Sequence, residues 1–164
     1  MKDIRGNVDT RLRKLAEGGY DALVLAEAGL RRLGLERHIA QALPWEIVLP
    51  APGQGAMALQ TRGDDKSTRQ IVAPLDHAAT HAAVTAERSL LAALQGGCLA
   101  PVAALARIEG SRLTLVGRVL SHDGARRIEA ADSASPAEAD ALGRHVADAL
   151  LTQGAGELIR AARA

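Results

Sequence analysis

Leu94-Gln95-Gly96-Gly97-Cys98-Leu99-Ala100-Pro101 joins two unlike patterns, and its reading decides the fold. Upstream, Val84, Leu90, Leu91 and Leu94 recur at helical spacing from about Asp76. Downstream, Val102 begins an apolar run that alternates as a strand does. Gly96 and Gly97 let the backbone leave the helix through positive φ, and Pro101 keeps a helix from resuming. Cys98 therefore sits on a short, stiff loop between a helix and a sheet. It is the only cysteine, so neither a disulfide nor a thiolate zinc site can form within the chain. A buried thiol and a thiol activated by nearby cations both remain open.

Beyond the loop the pattern is an antiparallel meander. Three strands are expected at Val102–Ile108, Arg112–Leu120 and Arg126–Ala131, with turns at Glu109-Gly110-Ser111 and His122-Asp123-Gly124. Ser135-Pro136-Ala137-Glu138 is a capping box with proline at the first helical position, and its helix runs to about Thr152. Gly154 and Gly156 set off a short last helix. This half reads as α+β, with helices packed on a three-stranded sheet.

The first half reads as α/β. Val8, Leu12 and Leu15 mark a helix that Gly18-Gly19 ends, and the apolar run Ala22–Ala26 suits a strand buried on both faces. Leu30, Leu33 and Ile39 continue as helical pieces up to Pro44. Short strands are expected at Glu46–Leu49 and Ala56–Thr61, flanking a rigid turn at residues 50–55. Ser67 is a plausible N-cap for a helix reaching Val72, and Pro74 marks a boundary near residues 74–77. Together these pieces imply a parallel or mixed sheet whose first strand lies outside the pattern.

The chain has 164 residues, 48% hydrophobic and 1% aromatic, so Leu, Val, Ile and Ala must build its core. A net charge of +1, with Tyr20 and Trp45 as the only aromatics, argues against nucleic-acid binding. No apolar run approaches the length of a membrane span. One unpaired cysteine and no secretory pattern point to a reducing compartment, with the cytoplasm as the expected location.

Five basic side chains crowd residues 2–14, and Arg5, Arg11 and Arg32 flank the predicted helix ends. Such a run is ordinarily a solvated helix face, but fixed guanidinium forks would grip carboxylates. His77 and His81 stand four apart without a third ligand, which favours capping or surface roles over a metal site. Gly53-Gln54-Gly55 lacks the Lys-Ser/Thr ending of a phosphate loop. Glu87-Arg88 most simply forms a helix-surface or interdomain ion pair.

Glu87-Arg88-Ser89-Leu90, Leu94-Gln95-Gly96-Gly97-Cys98 and Pro101-Val102-Ala103 resemble the cofactor-attachment signature of porphobilinogen deaminase, or hydroxymethylbilane synthase. Ala100 departs from it, since the family usually has a β-branched residue there. Ile4-Arg5-Gly6-Asn7-Val8, Thr10-Arg11-Leu12, Tyr20-Asp21-Ala22 and Ala28-Gly29-Leu30-Arg31-Arg32-Leu33 resemble that family's second domain. Pro50-Ala51-Pro52-Gly53-Gln54-Gly55-Ala56 resembles the segment that returns to the first domain, with Pro52 and Gln60 as departures.

The resemblance implies a transferase of tetrapyrrole biosynthesis that condenses four porphobilinogen molecules into hydroxymethylbilane with release of ammonia. It implies a dipyrromethane cofactor held through a thioether on Cys98. Arg5, Arg11 and Arg32 would bind acetate and propionate groups, with backbone near Ala26 and Gly29 lining the same cleft, while Arg13, Lys14 and Arg31 remain surface charges. The implied partition is a partial periplasmic-binding-protein-like second domain (1–55), a return segment (56–75) and a C-terminal α+β domain (76–164). The family's first domain, which carries its essential aspartate, has no counterpart here. A truncated, inactive portion of a monomeric enzyme is therefore expected, with no catalytic residue assignable. A non-catalytic anion-binding fragment and a structural protein with a buried cysteine are the alternatives.

Overall fold

The computed structural model describes residues 2–97 and 100–162. The chain divides into two compact units, Met1–Pro44 and Trp45–Ala164.

In the first unit, α1 (Val8–Ala16) starts at Asn7 and stops at Gly18, where φ of +78° ends the helix and Gly19 N–H returns to the Lys14 carbonyl. Tyr20 Oη donates to the Asp3 carbonyl, and Lys2 lies over the Tyr20 ring, so the start of the chain is held against the segment that follows α1. The helix α2 (Glu27–Arg32) and a 3-10 turn at Glu36–His38 complete the unit. Among its described residues only Leu30 is buried. The expected strand at 22–26 does not form, and Val24 is 74% exposed. A strand buried on both faces needs a ladder partner and two covering layers, and the unit provides neither.

The second unit holds the core. Strands β1 (Val102–Glu109), β2 (Arg112–Leu120) and β3 (Arg127–Ala134) form an antiparallel sheet in the order β1-β2-β3. The three expected strands are present, with β3 running three residues further than its pattern indicated. Register pairs Val102 with Val119 and Val119 with Ile128, so alternate residues line one buried face. Against that face pack α4 (Ala78–Ala93), α5 (Ala139–Thr152) and α6 (Ala155–Ala161), through Leu90, Leu142, Val146, Leu150 and Leu158. Ser135 and Glu138 form the expected capping box, and Gly154 at φ +95° separates α5 from α6.

The other face of the sheet is crossed by residues 45–50, which bend instead of forming the expected strand at 46–49. Their polar groups bond one at a time. Arg118, buried within β2, donates from Nε to Glu129 (2.6 Å) and from Nη2 to the Glu46 carbonyl (3.2 Å). Burial pushes the Glu129 carboxyl up, but Arg118 and Arg127 outweigh it and hold the group below its ordinary range. Arg107 lies over the Trp45 ring, Leu49 is buried, and Ala104 N–H donates to the Pro50 carbonyl. With Pro44, Pro50 and Pro52 lacking N–H groups, no regular ladder forms along this segment.

Residues 56–61 also lack strand pairing. Helix α3 (Lys66–Val72) is capped by Asp65 rather than Ser67: the carboxylate accepts from Thr68 N–H at 3.0 Å and from both neighbouring hydroxyls. The Thr68 N–H bond, then the Thr68 and Ser67 hydroxyls, lower the Asp65 pKa to about 2. A carboxyl depressed in this way stabilises the helix fully above its ordinary pKa, and the effect is lost as pH falls below that through the folded-state value of about 2. An NMR titration should therefore place the Asp65 midpoint near 2, and Asp65→Ala should fray α3; an ordinary midpoint would dismiss the cap.

Candidate functional site

Arg5, Arg11 and Arg32 all belong to the first unit. Arg11 Nε donates to the Gly6 carbonyl at 2.7 Å, holding its guanidinium beside the 5–7 turn. Gly6 has φ of +122°, and a Cβ there would meet Thr10 Cγ2 at 2.8 Å, so this approach requires glycine. The Arg5 carbonyl accepts from Lys14 Nζ.

Helices α1 and α2 meet where Gly29 faces Val8, a Cβ on Gly29 falling 3.9 Å from Val8 Cγ2. Three residues is close to one helical turn, so Arg11 follows Val8 on the same face of α1, and Arg32 follows Gly29 on the same face of α2. The helix contact thus has an arginine one turn away on each side. Ala26 is the N-cap of α2, and its carbonyl accepts from Gly29 N–H at 3.1 Å.

Among the described residues, neither Arg5, Arg11 nor Arg32 is paired with a carboxylate. Arg13 and Arg31, by contrast, are tied to Glu17 and Glu27 across single turns. Guanidinium groups with no internal counter-ion suit a ligand rich in carboxylates.

Cys98 and Leu99 lie outside the described residues. The helix leading to them is well defined. His77 caps α4 by accepting from Thr80 N–H through Nδ1, and His81 Nδ1 sits 3.0 Å from Asp76. Glu87 does not form the expected ion pair with Arg88. Neighbours on a helix point about 100° apart, and here Glu87 turns inward, only 6% exposed, while Arg88 faces a groove. Glu87 Oε2 accepts from Gly53 N–H at 2.6 Å and Oε1 from Ala106 N–H at 2.8 Å. Burial raises its pKa, and the two backbone bonds oppose the rise. Sequence reasoning missed this clasp because a carboxylate that serves backbone donors leaves no motif.

The groove facing Arg88 has a volume of about 1140 Å³ and runs between α4 and residues 52–59, with Met57, Leu59, Leu75 and Val84 among its walls. Among the described residues no three metal-ligating side chains cluster, and no helix is long and apolar enough to cross a membrane.

Residues 1–70 match the family described as "Porphobilinogen deaminase, dipyromethane cofactor binding domain", and residues 81–152 match "Porphobilinogen deaminase, C-terminal domain". A porphobilinogen deaminase of Xanthomonas campestris is 52% identical over 157 residues, covering 96% of this chain and 52% of that protein. Those of Brevibacillus brevis and Acidithiobacillus ferrooxidans are each 49% identical, over 97% and 99% of this chain and 51% and 53% of their own lengths. The chain spans about half the length of the curated relatives it matches. With both domain matches falling in order along one sequence, and identity near one half across nearly all of it, the chain belongs to the porphobilinogen deaminase family.

Proposed function

We propose that this chain serves the condensation of porphobilinogen into hydroxymethylbilane, holding a dipyrromethane through Cys98 and gripping its carboxylates with Arg5, Arg11 and Arg32. The observation that carries the reading is the match of residues 1–70 to the cofactor-binding domain, a stretch in which Arg5, Arg11 and Arg32 have, like Arg37 and Arg69, no carboxylate partner among the described residues.

Attachment at Cys98 follows ordinary thiol chemistry. Porphobilinogen loses ammonia as its C–N bond breaks, leaving an electrophilic exocyclic methylene. The Cys98 thiolate supplies the electron pair for a C–S bond, its proton having gone to solvent. When bound, the dipyrromethane supplies the nucleophilic pyrrole carbon to which further units are added. The chain's own contribution is positional: guanidinium forks fix the carboxylates, and backbone near Ala26 and Gly29 lines the cleft between them. Cys98 acts as an anchor, since extension occurs on carbon.

The finer architecture belongs to the same proposal. The first half is read as part of a periplasmic-binding-protein-like domain, with the chain partitioned at 1–55, 56–75 and 76–164. The interval between the two domain matches, after residue 70 and before residue 81, supports the second of those boundaries. A monomer working in the cytoplasm on a small-molecule substrate completes the reading.

The test is intact-mass spectrometry after exposure to porphobilinogen, with and without the N-terminal half of the Xanthomonas campestris relative. An increment of two pyrrole units, absent from Cys98→Ser, is expected. A folded chain that gains no mass under either condition would overturn the proposal.

A further inference from the structure

The turn between β2 and β3 holds Asp123-Gly124, the only Asp-Gly pair in a sequence that has no Asn-Gly pair. Asp-Gly is prone to rearrange in water, because glycine has no Cβ to shield its nitrogen. The Gly124 nitrogen gives up its proton and attacks Asp123 Cγ. A C–N bond forms, the carboxyl C–OH bond breaks, and water leaves behind a five-membered succinimide. Water then opens one of the two ring carbonyls. One opening restores aspartate, and the other routes the main chain through the side chain as isoaspartate. Residues 122–125 are exposed, so water and base have access to the pair.

Both reacting groups are nevertheless engaged. Gly124 N–H donates to the Ser121 carbonyl at 2.9 Å, which holds back the proton that the nucleophile must lose. Asp123 Oδ1 accepts from the Ser121 hydroxyl and from Ala125 N–H, the latter at 3.0 Å. The Ser121 bond first, then the Ala125 bond, hold the carboxyl below its ordinary range, and an ionised carboxylate has no hydroxyl to expel as water. Ser121 is itself fixed: its Oγ accepts from Arg126 N–H and its own N–H donates to the Arg126 carbonyl, each at 2.9 Å. We propose that Asp123-Gly124 is a latent isomerisation site guarded by Ser121, so that isoaspartate forms there only when the turn opens. The consequence is structural. Isoaspartate adds a methylene to the backbone of a turn whose flanks, Leu120 and Arg127, are paired across the sheet, so the register of β2 on β3 fails at that end. This inference does not depend on the reading of Cys98.

The intact chain and a free peptide spanning residues 120–127 are aged side by side in one buffer. Isoaspartate at position 123 is quantified by peptide mapping and by enzymatic methylation of the isoaspartyl carboxylate. The folded chain should form it roughly tenfold more slowly than the peptide, since each pKa unit of lowering makes the protonated carboxyl about tenfold scarcer. The chain unfolded in urea should match the peptide. Ser121→Ala should age several times faster than wild type, whereas Ser121→Thr, which keeps the hydroxyl, should stay slow. Asp123→Glu, whose ring would be six-membered, supplies the blank. A folded chain that isomerises as fast as the peptide would overturn the proposal, as would a Ser121→Ala variant that ages at the wild-type rate. A thermal melt shows whether Ser121→Ala is folded; if it is not, the comparison of folded wild type with peptide decides alone.

Discussion

Gly143→Ala should lower the melting temperature of the second unit by roughly 10 °C, although alanine is the better helix former by about 1 kcal/mol. At Gly143 the helices α4 and α5 cross so closely that a Cβ would lie 2.4 Å from the Ala86 carbonyl oxygen, 2.6 Å from Ser89 Cβ and 2.8 Å from Leu90 N. Two of those atoms are backbone, so the clash cannot be relieved by turning a side chain. The whole of α4 must shift, and with it Leu90, which is fully buried against the sheet. Overpacking of this kind costs about 3 kcal/mol, which leaves a net loss of about 2 kcal/mol. Gly156→Ala in α6 is the control. Its added methyl would meet only the tips of Arg160 and Leu151, at 3.4 and 3.5 Å, so helix propensity should prevail and stability should hold or rise. Equal melting temperatures for wild type and Gly143→Ala would contradict the close crossing.

Glu87→Ala should be comparably damaging, by about 2–4 kcal/mol, because it strips the acceptor from two backbone donors at once. The buried Ala106 N–H has no ready substitute, while Gly53 N–H, at an intermediate position, can partly recover with water. Amide exchange at Gly53 and Ala106 should accelerate together, which separates loss of the clasp from general loosening. Burial raises the Glu87 pKa in the folded state. The stability linked to that titration is present below the ordinary carboxyl range and is lost as pH rises through the raised pKa. Wild type should therefore lose ground to Glu87→Gln as pH climbs from about 4 toward neutrality. A difference that stays constant with pH would mean the carboxyl titrates normally.

How much of this was readable depended on whether a segment's partners lie near it in sequence. The meander could be read because β1, β2 and β3 are joined by short glycine turns, and the capping box at Ser135 names its own helix. The runs at 22–26 and 56–61 have strand composition, yet composition supplies no ladder partner, and in this structure they stay unpaired. Asp65 was passed over for Ser67 because both suit an N-cap, and only the bond to Thr68 N–H chooses between them. Arg118, in the middle of an apolar strand, gave no sign that its guanidinium would hold the 45–50 segment. Arg5, Arg11 and Arg32 stood out from other cations through resemblance, and the Val8–Gly29 contact supplies a physical reason for two of them. Glu87 shows the opposite case, a residue inside a recognisable motif whose work is hidden from it.

The clasp also governs which way the sheet can grow. The outward N–H groups of β1 at Ala104 and Ala106 are occupied by the Pro50 carbonyl and the Glu87 carboxylate. That margin is thereby closed to intermolecular pairing. A cell that loses Glu87 would face more than a softer protein: the freed Ala106 N–H on an apolar edge strand is a seed for aggregation.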